Sequence, residues 1–163
     1  MAIRPIRRFG DPVLRTVADP VTSFDAELRA LVADLLDTLL GVPGRAGVAA
    51  PQIGVGARVF AFDAGGRRGH VVNPTIELSG DRQVDDEACL SVPDLAFPTA
   101  RAGYATVRGF DQHGQPVTVA GSGFLARALQ HETEHLDGRL YLDALSGQAR
   151  RDAMRAVRAA PWA

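Results

Sequence analysis

The sequence predicts an α+β fold in which helices pack against antiparallel strands. Three observations indicate this class: an amphipathic helical pattern early in the chain, four short β-prone segments in its middle, and two helical patterns near its end. The length of 163 residues matches one ordinary domain, and no internal repeat or linker interrupts it. We therefore expect residues 1–163 to form a single domain.

Composition and charge exclude several classes of protein. Hydrophobic residues make up 46% of the chain and charged residues 23%, which is typical of a globular protein and not of a disordered one. With 18 Lys+Arg and 19 Asp+Glu the formal net charge is −1, so no specific nucleic-acid partner is expected. All of these cations are arginine, which excludes chemistry that needs a lysine Schiff base or a P-loop lysine.

The sequence predicts neither a membrane segment nor a disulfide. No stretch has the ~18 apolar residues of a membrane span, and the first ten residues lack the apolar core of a signal peptide, so we expect no membrane partner. Cys89 is the only cysteine, which rules out an internal disulfide and favours a reducing, cytoplasmic location.

The first helical pattern follows an irregular arm of about twenty residues that contains three prolines. Apolar residues then recur at i, i+3, i+4 and i+7, which predicts a helix over residues 25–40. Ser23 is the predicted N-cap, and Gly41 and Pro43 end the helix.

Four β-prone segments follow, and glycine-containing turns separate them. The predicted strands cover residues 58–62, 70–76, 105–110 and 116–120. We interpret Gly65-Gly66, Ser79-Gly80 and His113-Gly114 as hairpin connections.

Two more helical patterns complete the fold. The first covers residues 123–136, with Ser122 as its predicted N-cap and Gly138 beyond its end. The second covers residues 146–160, and Pro161 ends it. This last helix carries four arginines, which are Arg150, Arg151, Arg155 and Arg158.

The middle helix contains a pattern that is typical of metal sites, His131-Glu132-Thr133-Glu134-His135. Positions i and i+4 lie on one helical face, so both imidazoles can bind one metal ion. Glu132 can still reach the solvent side of such an ion and act there as a general base. The alternative is two polar histidines on an exposed face. The apolar residues of this helix argue against it, because burial of unpaired polar groups is costly.

A third protein ligand is needed, because catalytic metal sites usually combine three with one open position. Downstream of His135 the chain has no His or Glu, and its carboxylates there are Asp137, Asp143 and Asp152. The third ligand is therefore expected upstream. Cys89 is the only thiol available, although taken alone it is also consistent with a small buried hydrophobic residue.

Three segments together resemble the three signature motifs of the peptide deformylase family. GVAAPQIG at 47–54 is similar to the family's Gly-x-Gly-Leu-Ala-Ala-x-Gln. EACLS at 87–91 is similar to Glu-Gly-Cys-Leu-Ser, and QHETEH at 130–135 to Gln-His-Glu-x-Asp-His. Their order and spacing match, and the resemblance extends over essentially the whole chain, including Val72-Asn73-Pro74.

The resemblance implies an activity and an architecture. The family removes the formyl group from the formyl-methionine of new polypeptides, using Fe(II) in vivo or Zn(II), Ni(II) or Co(II) in its place. Formyl-methionyl nascent peptides are then the expected partners. The implied fold is one catalytic domain, with antiparallel sheets around a central metal-binding helix and a helix near each end of the chain.

The resemblance also implies a role for individual residues. It makes Cys89, His131 and His135 the metal ligands, and Glu132 the acid/base that acts with metal-bound hydroxide. The side-chain amide of Gln52 and the backbone N–H of Leu90 become the oxyanion donors. The implied substrate pocket comprises Ala46, Gly47, Phe124 and Ala128. Glu87 and Arg101 are expected to form a supporting ion pair, the alternative being two solvated charges.

Besides Val48, which replaces Leu, three substitutions depart from the family pattern. Ala88 stands where the family has Gly, and would be strained by roughly 1 kcal/mol if its φ were positive. Arg45 also replaces a usual Gly and either narrows the cleft or folds outward. Glu134 replaces Asp, a change of one methylene that a supporting residue can tolerate.

Other functions remain open at this point. The arginine-rich last helix resembles that of the bacterial type I branch, which has been linked to ribosome docking, but a solvated basic face is the favoured interpretation. The chain could act on another N-formylated small molecule, a hypothesis that Arg45 and Ala88 motivate. A general metallopeptidase and a non-catalytic protein with a structural metal are two further alternatives.

Overall fold

Three α-helices and seven strands form the framework of residues 2–163, which the computed structural model describes. In chain order they are α1 (Ala26–Leu40), β1 (Gly47–Ala49), β2 (Val59–Ala64), β3 (Arg67–Ser79), β4 (Gln83–Cys89), β5 (Val92–Arg101), β6 (Tyr104–Phe110), β7 (Pro116–Ser122), α2 (Gly123–Leu136) and α3 (Gly147–Ala159). Short 3-10 helices lie at Pro12–Arg15, Ala50–Ile53 and Tyr141–Ala144.

Five strands form one antiparallel sheet in the order β1-β2-β3-β6-β7. Successive side chains of a strand point to opposite faces of its sheet. Phe60 and Phe62 of β2 accordingly pack in one core cluster with residues of α2, whereas Val59 and Ala61 pack in another with residues of α1. The two helices therefore cover opposite faces of this sheet.

The strands β4 and β5 form a separate antiparallel hairpin. Cys89 pairs with Val92, so Leu90 and Ser91 make a two-residue turn. The register then shifts, and Asp94, just past the turn, has a left-handed backbone with φ of 64°. Irregularities of this kind redirect side chains next to many active sites.

A third core cluster fixes the hairpin to the end of the chain. Cys89 and Val92 pack there with Tyr141 and Leu142 of the last 3-10 helix and with Ala153 of α3. The cysteine therefore sits where the hairpin meets the C-terminal elements.

The predicted α+β class is confirmed, and most predicted elements lie within a few residues of their expected positions. The four predicted strands correspond to β2, β3, β6 and β7. The Gly65-Gly66 turn joins β2 to β3, and the His113-Gly114 turn lies in the loop between β6 and β7, as predicted. Among residues 2–163, no helix is long and apolar enough to cross a membrane.

Three details of the prediction are wrong. Ser79-Gly80 does not close a hairpin, because it leads from β3 into β4 and these strands belong to different sheets. The strands β1, β4 and β5 were not predicted: β1 has three residues, β4 is acidic and β5 contains two prolines. Asp25 caps α1 in place of Ser23, since its side chain accepts a hydrogen bond from the backbone N–H of Leu28 at 3.0 Å.

Candidate metal centre and active site

The two histidines of the sequence motif lie one turn apart on α2, and their Nε2 atoms are 3.2 Å apart. His131 is 8% exposed and His135 only 1%. The alternative of polar histidines on an exposed face is therefore excluded. Their burial needs a compensating partner, because unpaired polar groups are costly to bury.

Cys89 supplies a third donor atom from the hairpin. Its Sγ lies 3.5 Å from Nε2 of His135, and the three donor atoms all lie within 4.8 Å of one another. Neighbouring ligands of a tetrahedral ion, with bonds of about 2.1 Å to nitrogen and 2.3 Å to sulfur, are separated by roughly 3.4 to 3.6 Å. The separations of 3.2 Å between the two Nε2 atoms and 3.5 Å between Sγ and Nε2 of His135 are close to that spacing, so this donor set fits one divalent cation.

A carboxylate behind His131 fixes which of its nitrogens faces Cys89. The Nδ1 atom lies 2.7 Å from Oε2 of Glu87. Burial tends to raise the pKa of Glu87, but hydrogen bonds from Arg101 and His131 outweigh it and hold that pKa well below its usual range. An ionised carboxylate can only accept, so Nδ1 carries the proton and Nε2 is left for a metal ion.

The pKa values of the two histidines move in opposite directions. Burial disfavours the charged form of both. At His131 the nearby Cys89 and Glu87 outweigh burial and raise the pKa well above its usual range. At His135 burial, reinforced by His131, lowers the pKa well below that range. His135 is therefore held neutral, as a ligand must be, whereas a metal ion that bound Nε2 of His131 would have to displace its proton.

Glu87 lies in a buried network of charges. Arg101 binds it at 2.6 Å, which is the ion pair that the sequence predicted, and also binds Glu134 at 2.6 Å. Arg127 donates to Glu87 at 2.8 Å, a contact that sequence reasoning missed. The available signal was an arginine four residues before His131 on a helix with an apolar face, since a buried cation needs a buried partner.

Glu132 is buried beside the three donor atoms. One of its carboxylate oxygens, Oε2, lies 4.0 Å from Nε2 of His131, and the other, Oε1, has no hydrogen-bond partner among residues 2–163. Burial raises the pKa of Glu132 to about 7. A carboxyl with such a pKa can both accept and donate a proton near neutral pH.

Gly47 leaves the space that this carboxylate occupies. A Cβ at residue 47 would lie 2.6 Å from Oε2 of Glu132, closer than any real contact. Glycine in the first sequence motif therefore admits the Glu132 carboxylate, which a side chain at residue 47 would displace.

Gln52 is held with its amide nitrogen toward Cys89. Its Oε1 accepts from the backbone N–H of Ala49 at 3.0 Å, while Nε2 donates to Oγ of Ser91 at 3.2 Å and lies 3.8 Å from Sγ of Cys89. Leu90 lies in the turn directly after the cysteine. The two predicted oxyanion donors are thus both next to Cys89, Gln52 by its side-chain contact and Leu90 by its place in the chain.

An open cleft of about 1130 Å³ runs along these residues. All four predicted pocket residues line it, together with most of the chemical groups: Ala46, Gly47, Gln52, Glu87, Cys89, Leu90, Phe124, Arg127, Ala128, His131 and Glu132. Phe124 is 59% exposed. Neither His135 nor Arg101 borders the cleft, so both lie behind its wall.

The three departures from the family motifs are accommodated. Ala88 is unstrained, because Asn73 and Asp94 are the non-glycine residues with positive φ in the described part of the chain. Arg45 borders the cleft, but its Nη1 folds back to donate to the carbonyl of Thr38 at 2.6 Å. Glu134 reaches Arg101 despite its extra methylene.

A thiol and two imidazoles beside a buried carboxylate, on the wall of a cleft, define the class of metal-dependent hydrolases. The model of the Polypeptide deformylase family matches residues 3–151. The chain belongs to this family, whose members depend on a metal and remove the N-terminal formyl group from nascent peptides.

Individual relatives cover the chain almost completely. It is 56% identical to a peptide deformylase of Acidothermus cellulolyticus over 163 residues, 100% of this chain and 90% of that protein. It is 51% identical to one of a Parafrankia species, across 99% of this chain and 89% of that protein. The crystal structure of a peptide deformylase from Legionella pneumophila superimposes with a TM-score of 0.88 at 40% identity, covering 96% of this chain and 94% of that one.

Proposed function

We propose that this chain hydrolyses the formamide of formyl-methionyl polypeptides and releases formate, with Cys89, His131 and His135 as the metal ligands. The observation that carries the proposal is the buried Glu132 carboxyl, which has an unpartnered oxygen and lies beside these three donors in the cleft. When bound, a divalent cation would lower the pKa of an attacking water and polarise the formyl group.

Glu132 is the proposed acid and base. With a pKa near 7 it can take a proton from the attacking water and return it to the amide nitrogen as the C–N bond breaks. Formate and the free amino terminus are then the two products. Burial, which disfavours the charged form, brings the pKa of this carboxyl close to neutral pH.

Gln52 and Leu90 are the proposed donors to the oxygen that gains negative charge. The amide of Gln52 is neutral and already oriented by Ala49 and Ser91, so it needs little rearrangement when charge develops. The backbone N–H of Leu90 would complete the pair. The bond to Ala49 caps the loop, and the bond to Ser91 is the one that supports a role beyond capping.

We assign the substrate to the side of the cleft formed by Ala46, Gly47, Phe124 and Ala128. A small or absent side chain at three of these positions leaves room for a peptide next to Glu132. The cleft is several times larger than a formyl-methionine, which favours a polypeptide over a small formylated metabolite.

The metal in vivo is proposed to be Fe(II), with Zn(II), Ni(II) or Co(II) able to replace it. A thiolate with two imidazoles suits each of these ions. A cytoplasmic location would keep both the thiolate and a ferrous ion reduced and would give access to nascent chains.

We also propose that α3 contacts the ribosome. Arg151, Arg155 and Arg158 are exposed along this helix, whereas Arg150 is tied to the carbonyl of Leu142. A solvated basic face explains the same arginines, so pelleting with ribosomes of the wild type and of an Arg155→Glu/Arg158→Glu variant separates the two interpretations.

The function is tested by anaerobic formate release from a formyl-Met-Ala-Ser peptide and from small formylated amines, measured side by side. We expect a much larger kcat/KM for the peptide. A metal-loaded protein that releases no formate from the peptide would contradict the proposal. A preference for the small amines would support the alternative substrate, and cleavage of unformylated casein would support a general metallopeptidase.

A further inference from the structure

The carboxylate of Glu87 is surrounded by four donor atoms, which belong to three residues. Arg101 donates through Nε to Oε1 at 3.0 Å and through Nη2 to Oε2 at 2.6 Å. Arg127 donates through Nη1 to Oε1 at 2.8 Å, and Nδ1 of His131 lies 2.7 Å from Oε2. Each oxygen therefore has two partners, which fills the roughly four acceptor sites of a carboxylate.

Arg127 joins the helix to the hairpin. It lies on α2 one turn before His131 and is 4% exposed. Besides Glu87 of β4, its Nη1 donates to the backbone carbonyl of Thr99 on β5 at 2.8 Å, and its Nη2 lies 3.5 Å from Oε1 of Gln83. Its guanidinium thus contacts both strands of the hairpin that carries Cys89.

Arg101 forms the reverse connection, from β5 to Glu134 on α2. The buried network then contains two guanidinium groups, from Arg101 and Arg127, and two carboxylates, from Glu87 and Glu134. With both arginines present, the two carboxylates face two guanidinium groups. Without Arg127, Glu87 would share a single cation with Glu134 and would lose one of its four donors.

We propose that Arg127 is a positioning residue of the metal centre: it holds Glu87 against His131 and the hairpin against α2. This inference rests on the proposed metal site. Two of its donors, His131 and His135, belong to the helix and the third, Cys89, to the hairpin. The spacing of these two elements therefore determines the spacing of the three donor atoms, and Arg127 acts on both.

The choice of variants separates positioning from other roles. Arg127→Met keeps a long apolar side chain but removes every donor, whereas Arg127→Lys keeps the charge and one donor group. Arg29→Met on α1 is the matched control, because Arg29 is an exposed helical arginine far along the chain from the site.

The first measurement is Co(II) binding to metal-free protein, monitored by the thiolate-to-Co(II) and ligand-field absorption bands. The rate at which a chelator then removes the Co(II) is measured on the same samples. We expect Arg127→Met to lose Co(II) roughly 10- to 100-fold faster and to shift the ligand-field bands, with partial recovery in Arg127→Lys. Arg29→Met should match the wild type. The same spectrum and loss rate in Arg127→Met as in the wild type would overturn the inference.

The second measurement tests whether Arg127 acts through Glu87. In a double-mutant cycle with Glu87→Gln, the effects on Co(II) loss should be strongly non-additive, and additive effects would overturn the proposal. In formate release by the metal-loaded protein, kcat should fall more than KM rises. A rise in KM alone would make Arg127 a substrate contact instead. Because Co(II) binding needs no substrate, these results stand even if the proposed activity fails.

Discussion

The Glu132 carboxylate lies directly against Gly47, so that a Cβ at residue 47 would stand 2.6 Å from its Oε2. The space at residue 47 is filled by the Glu132 carboxylate, so a methyl group there must displace it. Glu132 is also the one group of the site that combines burial, a pKa near 7 and an unpartnered oxygen. At the scale of single residues, catalysis is therefore expected to depend on where this carboxylate stands.

Gly47→Ala should lower kcat at least ~10-fold without loss of metal, because it moves the acid/base and none of the three donors. Formate release and metal content of the purified variant measure the two effects. Gly56→Ala is the matched control, since a Cβ at residue 56 meets no atom within 4 Å. Unchanged kcat in Gly47→Ala would show that the position of Glu132 is not limiting.

Gln52→Glu should lower kcat by about 100- to 1000-fold, which is the usual loss when one oxyanion donor is removed. The new carboxylate can still accept from the N–H of Ala49 but can no longer donate. Steady-state kinetics with a formyl-Met peptide test this. A variant that changes KM and leaves kcat intact would assign Gln52 to ground-state binding instead.

Which residues carry the chemistry could be predicted from the sequence, but the contacts that hold them could not. His131, Glu132 and His135 follow from helical spacing alone, and Cys89 from the absence of His or Glu downstream of His135 together with the family resemblance. Arg127 was missed because its partners, Glu87 and Thr99, lie 40 and 28 residues away. Such contacts depend on how the hairpin packs on α2, which local patterns do not encode.

At the scale of elements, the β4–β5 hairpin likewise could not be predicted from local sequence patterns. Its acidic first strand and the two prolines of its second gave no clear strand pattern, yet the hairpin carries both Cys89 and Glu87. Helices α1, α2 and α3 were predicted to within one residue, because amphipathic periodicity is a strong local signal. The strands that were predicted are the ones with β-branched, apolar sequences.

The N-terminal arm connects the two loops that hold the proposed oxyanion donors. The backbone N–H of Arg7 donates to the carbonyl of Gln52, and that of Phe9 to the carbonyl of Ser91, each at 2.7 Å. Arg4 anchors the arm to α1 through Thr38 and Asp34. An irregular segment of the sequence thus fixes the separation of the two loops.

Arg7→Pro should lower kcat about 10-fold and the free energy of unfolding by about 1 kcal/mol, because proline removes the N–H that binds Gln52. Arg7→Ala keeps this N–H and loses only the side chain, including its ion pair with Asp11. The comparison of the two variants in formate release and urea unfolding isolates the backbone bond. Equal kcat in both would show that the arm does not position Gln52.

At the scale of the whole molecule, the proposed metal centre lies between two parts of the core. The hairpin belongs to the core cluster that contains α3, and α2 to the one that covers the five-stranded sheet. Cys89 lies in the first part, and His131 and His135 in the second. We therefore propose that residues 1–163 unfold as one domain and that a bound cation strengthens its weakest connection.

Removal of the metal should lower the midpoint of thermal unfolding by roughly 5–10 °C, because a ligand present at a concentration 100 times its Kd stabilises the folded state by about 2.7 kcal/mol. The metal-free protein should still unfold in a single transition. Calorimetry before and after chelation measures this shift. The Cys89→Ser variant should show almost no shift, because it binds metal weakly. Two separate transitions would contradict the single-domain proposal.

The most direct test of the whole account is one measurement on Glu132→Gln: its metal content together with its formate release from a formyl-Met peptide. We expect one divalent ion per chain, as in the wild type, with formate release slowed at least ~100-fold, because the three proposed ligands are intact and the proposed acid/base is lost. A metal-loaded Glu132→Gln protein that releases formate at the wild-type rate would contradict it.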